Sequence, residues 1–233
     1  MLPEEIPIID VIIPAFNEQE AVGVVVSEIP KELVREIIVV NNNSTDSTSQ
    51  KAEAAGATVL DENRQGYGHA CLKGMEHIAA KANAPNIVVF LDADNSDHPE
   101  QMPDLIDPIL NDNKDLVIGS RALGELEKGA MMPQQIFGNW LATRLMRVLY
   151  GVRYTDLGPF RAIRYNKLLA IEMKDTTYGW TVEMQLKAAK LKMAICEVPV
   201  DYRKRIGFSK ISGTFTGTVK AGYKIISTII KYW

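Results

Sequence analysis

Asn86-Ile-Val-Val-Phe-Leu-Asp-Ala-Asp-Asn-Ser-Asp-His-Pro-Glu100 is the stretch on which the reading of the chain turns. Residues 87–91 are β-branched or large and apolar, the pattern of a strand covered on both faces. The run ends abruptly in Asp92, Asp94 and Asp97. Residues i and i+2 of an extended segment project to one side, so Asp92 and Asp94 face one point beyond the strand's end. Two hard oxygen ligands at one point suit Mg2+ or Mn2+ that also grips a substrate's phosphates. The alternative is an acidic turn that opens the next helix, since Asp97 and His98 precede Pro99 and Glu100 in an N-terminal pattern.

Outward from this stretch a strand–helix alternation repeats. Residues 8–13 read as a buried strand broken by Pro14, and 18–29 carry Val22, Val25, Val26 and Ile29 at helical spacing. A second strand over 36–40 leads through Ser44-Thr45-Asp46 into a helix ending near 55. A third strand over 58–60 precedes a helix over 67–82; a helix over 99–111 precedes a fifth strand at 116–118. Strict alternation predicts an α/β fold, a doubly wound and mostly parallel sheet with helices on both faces. Ligands of such sheets bind beyond the carboxyl ends of the strands. Asn17-Glu18, residues 41–46, Arg64-Gln65-Gly66 and residues 92–94 all fall there.

After Gly119 the alternation loosens. A polar loop over 124–133 is followed by a helix over 135–148, with Phe137, Leu141, Leu145 and Val148 on one stripe. Residues 158–163 read as a strand, 181–191 as a helix and 194–200 as a strand. A basic loop over 202–214 leads into a last helix from Phe215.

The chain's 233 residues and ordinary apolar content fit one large globular unit. Cys71 and Cys196 read as thiols of a reducing compartment rather than a disulfide. The start, Met1 to Asp10, carries Glu4 and Glu5 and no secretory pattern, and no apolar run is long enough to span a bilayer. The expected location is cytoplasmic. The net charge of −3 hides an asymmetry: residues 1–118 hold 21 acidic and 7 basic side chains, giving −14, and residues 119–233 hold 8 and 19, giving +11. Opposed charge of this kind suits a polyanionic ligand held between the halves. No aromatic-basic motif points to nucleic acid.

Val11-Ile-Ile-Pro-Ala-Phe-Asn-Glu18, Ile38-Val-Val-Asn-Asn-Asn-Ser-Thr-Asp46 and Asp92-Ala-Asp94 resemble the family 2 glycosyltransferases and their glycosyltransferase-A fold. Gly119-Ser-Arg121, Gly158-Pro-Phe-Arg161, Tyr178-Gly-Trp-Thr-Val-Glu183 and residues 203–212 are most similar to the dolichyl/polyprenyl-phosphate hexose synthase branch. That resemblance implies a metal-dependent, inverting transfer of a hexose from a nucleotide-diphosphate sugar (UDP-glucose, another UDP-hexose or GDP-mannose) to a polyprenyl phosphate. It implies that Pro14, Ala15, Asn17, Glu18, Asn41 and Asn42 hold base and ribose. It implies that Asp94 is the principal metal ligand, with Asp92 and Ala93 against metal or sugar. The family usually has an aspartate pair where Asn41-Asn42 stand, which leaves the choice between uracil and guanine open.

The residues themselves support several of these roles. Displacement at an anomeric carbon builds charge on the departing diphosphate, which cations stabilise. Arg121, Arg203, Arg205 and Lys210 are the cations for it, and Gly207 and Ser209 suit a lid rather than a solvated basic loop. Arg64 and Gly66 stand at a helix start, where N–H groups meet a phosphate or ribose, or only form a tight turn. Asp46 reads as a helix cap. Asp156 and Glu183 are the carboxylates for a base, for orienting sugar hydroxyls, or for pairing with Arg161. Trp180 either stacks on the sugar or packs in the core. In the last helix Lys220, Lys224 and Lys231 lie opposite Ile225, Ile226, Ile229, Ile230 and Trp233, which suits a peripheral membrane element or docking on the core. The expected organisation is a catalytic domain over 1–214, halved at 119/120, followed by an amphipathic helix over 215–233. Rival readings are transfer to a soluble or glycan hydroxyl, a sugar-phosphate nucleotidyltransferase, and an inactive nucleotide-binding protein.

Overall fold

The computed structural model of the protein describes residues 6–207 and 215–233. Strands β1 (Ile9–Ala15), β2 (Glu36–Asn41), β3 (Thr58–Asp61) and β4 (Ile87–Phe90) alternate with helices α1 (Val22–Glu28), α2 (Thr48–Ala54) and α3 (Tyr67–Ala79). A 3-10 turn at Pro99–Gln101 runs into α4 (Met102–Asn111), then β5 (Leu116–Ser120) and α5 (Pro133–Tyr150). The chain continues through β6 (Arg161–Arg164), α6 (Tyr165–Ile171), α7 (Trp180–Lys190), β7 (Ile195–Pro199) and α8 (Phe215–Lys231).

These strands form one sheet in the order β3-β2-β1-β4-β6-β5-β7. The first four run parallel, as their alternation with helices predicts. β6 breaks the pattern. It lies antiparallel between β4 and β5, with Phe90 opposite Arg161 and Ile118 opposite the same residue. It begins at Arg161 rather than at 158, and helix α6 directly after it was not legible in the sequence.

Side-chain alternation explains the two layers. Ile12, Ile38, Val40, Val88 and Phe90 face one side, where residues of α3, α5, α7 and α8 cover them. Val11, Ile13, Val39, Val89 and Leu91 face the other, under α1 and α4. Each fully buried Val, Leu, Ile or Phe contributes about 1.5–3 kcal/mol. Asp10, fully buried at the opposite end of β1, is held by Arg35 (Nε to Oδ1, 2.9 Å) and by Lys81 (Nζ to Oδ2, 3.2 Å).

Helix α5 corrects one expectation. Its buried residues are Ala142 and Met146, whereas Phe137 and Val148, placed on the apolar stripe by spacing, point outward. Gly151, in the left-handed region at φ 70°, ends it.

Candidate active site

The carboxyl ends of β1, β2 and β4 lie side by side, which brings their following loops together. After β4 the chain turns sharply, with Asn95 at φ 62°. Within that turn Asp94 Oδ1 accepts from the Ser96 N–H (2.9 Å) and the Ser96 hydroxyl (2.5 Å). Its other oxygen, Oδ2, lies 3.0 Å from Arg205 Nη1. Arg205 Nη2 donates to Glu18 Oε1 at 2.6 Å, so one guanidinium bridges the loops after β1 and β4.

Residues 202–206 lie across the aspartate turn. Arg203 N–H donates to Ser96 O (3.0 Å) and Ile206 N–H to Asp94 O (2.9 Å), and Tyr202 forms an antiparallel bridge with Asp97. Arg203 also donates through Nε to Asn95 O (2.8 Å) and pairs with Glu28. Of the arginines assigned to the basic loop, Arg205 therefore reaches Asp94, whereas the Arg203 side chain holds Asn95 and Glu28 beside it. Lys210 and the remainder of the expected lid lie outside the described residues.

Asp92 and Asp97 each keep a buried oxygen, Oδ1, with no hydrogen-bond partner. Burial lifts the Asp92 pKa to about 7 and the charge of Asp94 adds to it; the facing Tyr67 phenol, Arg205 and Arg121 pull the other way. Burial, followed by the charges of Asp92 and Asp94, pushes Asp97 up as well. A group of buried carboxylates with orphan oxygens fits a divalent cation. Among the described residues no three His, Cys, Asp or Glu side chains gather into a complete metal site. A cation here would draw on one or two aspartates and complete its shell from phosphate oxygens and water.

Arg121, at the end of β5, is fixed by Asp156. Its N–H and Nε donate to Oδ2 (2.9 and 2.7 Å) and its Nη2 to Oδ1 (2.7 Å), while its guanidinium carbon lies 5.0 Å from the centre of the Tyr202 ring. Burial alone would lower the Arg121 pKa; the Asp156 carboxylate more than reverses it. Asp156 Oδ1 accepts a further bond from Leu157 N–H (2.8 Å). Each oxygen of Asp156 thus already accepts two donors.

Glu183 is equally saturated, and far more buried than a solvent-facing base would be. It accepts from the N–H groups of Lys174 (3.1 Å) and Asp175 (2.6 Å), from Lys187 Nζ (2.7 Å) and from the Tyr232 hydroxyl (2.5 Å). Burial pulls its pKa upward, and Lys187, Tyr232 and the two backbone donors together bring it below the usual value. It ties α7 to the chain before it and to the end of α8. Trp180 is 1% exposed and packs tilted against Phe90, ring centres 6.0 Å apart. In this arrangement it is core and presents no face to a sugar.

The loops after β1 to β3 are largely self-satisfied. Asn17, at φ 53°, accepts from Thr45 N–H (2.8 Å) and donates its own N–H to Ser44 Oγ (2.9 Å). Glu18 N–H donates to Thr48 Oγ1 (2.9 Å), and Asp46 Oδ1 accepts from Thr48 N–H (3.0 Å), the helix-start role its sequence position suggests. Pro14, Ala15 and Ala93 are buried, Ala15 O accepting from Asn42 N–H (2.8 Å). Asn41 donates to Asp61 Oδ1 (2.9 Å) and accepts from Ser44 N–H (3.0 Å). Asn42 reaches Glu62 O, Arg64 O and Gly66 N–H, clasping the loop after β3 to β2.

Gly66 and Gly68 have a reason other than phosphate. A Cβ on Gly66 would stand 2.2 Å from Thr176 O, and one on Gly68 2.0 Å from Asp175 O. The N–H of His69 already donates to Thr176 O (3.1 Å). The start of α3 therefore packs on the chain itself, and Arg64 pairs with Glu62, whose pKa its guanidinium holds down to about 2. Tyr67 and Tyr202 were not singled out in the sequence. Both come beside the aspartates only through packing of α3 and of the segment after β7, for which no local signal exists.

Residues 10–171 match the model of Glycosyl transferase family 2. The chain is 32% identical over 227 residues to a dolichyl-phosphate hexose transferase of Haloferax volcanii, covering 95% of this chain and 93% of that protein. It is 31% identical over 221 residues to an undecaprenyl-phosphate mannosyltransferase of Micrococcus luteus, covering 88% of each. The fold matches glucosyl-3-phosphoglycerate synthase from Mycobacterium tuberculosis, solved with Mn2+, UDP-glucose and phosphoglyceric acid, with a TM-score of 0.77 at 24% identity over 97% of this chain and 79% of that one. The expected glycosyltransferase-A architecture is the one found, and the chain belongs to glycosyl transferase family 2.

Proposed function

We propose that the protein transfers a hexose, with inversion, from a nucleotide-diphosphate sugar to the phosphate of a polyprenyl phosphate. The observation that carries this reading is the state of Asp156 and Glu183, whose four oxygens each already accept hydrogen bonds. A hydroxyl acceptor must lose a proton to a base, whereas an acceptor phosphate is already anionic and needs none. The two lipid-phosphate sugar transferases among its relatives support the same acceptor.

In this reading the loops after β1 and β2, with Asn17, Glu18 and Asn41, hold base and ribose. Asp94 and Asp92 would hold Mg2+ or Mn2+, which supplies Lewis-acid neutralisation of the diphosphate; the comparable synthase was solved with Mn2+. Arg205 and Arg203 hold the diphosphate, and Arg121, aimed by Asp156, faces the same charge. The acceptor phosphate oxygen bonds to the anomeric carbon as the bond from that carbon to the diphosphate breaks. No proton moves. Asp156 and Glu183 act in this scheme as positioning residues. Residues 1–119 would form the nucleotide half and 120–214 the acceptor half.

One observation favours a second reading. Asp92 Oδ1 accepts no hydrogen bond, so, unlike Asp156 and Glu183, it keeps a lone pair for the proton of a hydroxyl acceptor. The synthase of similar fold was solved with phosphoglyceric acid, a soluble molecule that bears no prenyl chain.

A radiolabelled transfer assay separates the two. UDP-glucose, UDP-galactose and GDP-mannose would be offered in turn with Mg2+ or Mn2+, with polyprenyl phosphate or with phosphoglycerate, to the wild type and to Asp94→Ala. Label entering the organic phase only with lipid phosphate and intact Asp94 is the expected result. Label on phosphoglycerate alone would overturn the lipid acceptor.

A further inference from the structure

Two neighbouring helices turn apolar and aromatic side chains toward solvent. On α5, Ile136, Phe137, Trp140, Arg144, Arg147 and Val148 fall within one arc of about a third of the helix, by 100° per residue. Phe137 is 60% exposed, Trp140 56% and Val148 73%, and the Phe137 and Trp140 rings sit 5.8 Å apart. Both arginines on this face are exposed. On α8 the outward arc holds Val219, Tyr223 and Ile230, flanked by the exposed Lys220 and Lys231. The two helices are joined where the Tyr150 hydroxyl donates to Ile229 O at 2.6 Å.

Exposed aromatics are ordinary when scattered, but a grouped set rimmed by charge marks an interaction surface. The charge here is of one sign. The exposed cations on the two helices are Arg144 and Arg147 on α5 and Lys220 and Lys231 on α8, and neither residues 133–150 nor 215–233 contain an acidic side chain. In a chain whose net charge is −3 this calls for a polyanionic planar partner. Aromatic and branched aliphatic tips between arginines and lysines are what an anionic bilayer surface accepts: rings at headgroup depth, cations on the phosphates. Among the described residues no helix is long and apolar enough to cross a membrane, and the exposed faces suit lying on one.

We propose that the outward faces of α5 and α8 form a docking surface for an anionic lipid bilayer, with Phe137 and Trp140 entering the interface. This deepens the reading of a lipid-phosphate acceptor, since it would hold the enzyme where a prenyl chain is embedded. The charge and exposure that carry it stand apart from that reading.

The test is flotation of the full chain with phosphatidylcholine vesicles, with and without phosphatidylglycerol, alongside Trp fluorescence. Wild type is expected to float only with phosphatidylglycerol, with a blue-shifted emission. Phe137→Ser with Trp140→Ser should abolish flotation, and Arg144→Gln with Arg147→Gln should weaken it about 30-fold, at roughly 1 kcal/mol per charge. Unchanged melting of the variants would show that they fold. Wild type that stays in solution with both vesicles, or variants that float as well as wild type, would overturn the proposal. So would light scattering that shows a dimer which the Phe137/Trp140 change dissolves, because the face would then belong to a second copy of the chain. Transfer to a water-soluble short-chain prenyl phosphate, measured on the same variants, keeps the two ideas apart. Flotation without any such transfer would sink the acceptor reading and leave the docking surface standing.

Discussion

The Arg205 guanidinium stands between two carboxylates, Nη1 at 3.0 Å from Asp94 Oδ2 and Nη2 at 2.6 Å from Glu18 Oε1. It joins the loop after β7 to the ends of β1 and β4, and a bound diphosphate would compete with both carboxylates for it. A charge-assisted hydrogen bond contributes about 1.5–3 kcal/mol. Arg205→Gln should therefore raise the dissociation constant of the nucleoside diphosphate tenfold or more in isothermal titration. An unchanged constant would remove Arg205 from the donor site.

Asp156 and Arg121 form a buried three-bond pair. Removing one partner leaves the other charge buried alone, a loss of about 3–5 kcal/mol. Asp156→Ala should shift the urea midpoint accordingly, and Asp156→Asn, which still accepts from Arg121, should shift it less. If Asp156 were instead a base, Asn would abolish transfer at unchanged stability.

Glu183 makes the docking of α8 sensitive to acid. Its pKa is lowered in the folded state despite burial, because Lys187, Tyr232 and two backbone N–H groups hold the charged form. A depressed folded pKa contributes stability that is present above the unfolded value and is lost as pH falls through the folded one. The urea midpoint should drop on acidification below the ordinary carboxylate range, about pH 4.3. Glu183→Gln should be less stable at neutral pH, with a shallower acid limb. Parallel acid limbs for both proteins would refute this role.

Gly66 sits at φ 148° with its missing Cβ 2.2 Å from Thr176 O. Gly66→Ala must push the loop before α7 away from α3. A loss of about 2 kcal/mol or more is expected, read as a lowered Tm. If the glycine served a phosphate instead, stability would hold and only nucleotide affinity would fall.

The parallel half of the sheet was legible because each of its strands is a continuous apolar run followed by a helix at short range. Residues 87–91 show this most clearly: burial on both faces leaves no polar position, so the strand and its acidic end stand out. The acidic cluster stood out because it follows that run directly, although Asp94 lies in a turn beyond the end of β4 rather than in an extended segment, and Asp46 stands just before α2, where it accepts from the Thr48 N–H. These are local rules, carried by spacing alone.

Packing decided the rest. Nothing in residues 161–164 says that β6 must run antiparallel between β4 and β5. Spacing set Phe137 and Val148 on one stripe of α5, but which side of that helix meets the sheet depends on neighbours far along the chain, and Ala142 and Met146 took the core. The sequence left Asp156 and Glu183 open between a base, sugar orientation and pairing with Arg161; Arg161 instead donates to the carbonyls of Leu157, Gly158 and Thr181, and the partners found, Arg121 and Tyr232, lie 35 and 49 residues away. Trp180 became core because β4 brought Phe90 beneath it. Periodicity reports which residues can share a face. Which face is buried, and which charge is already answered, is an energy shared among distant segments, and it exists only once they have met.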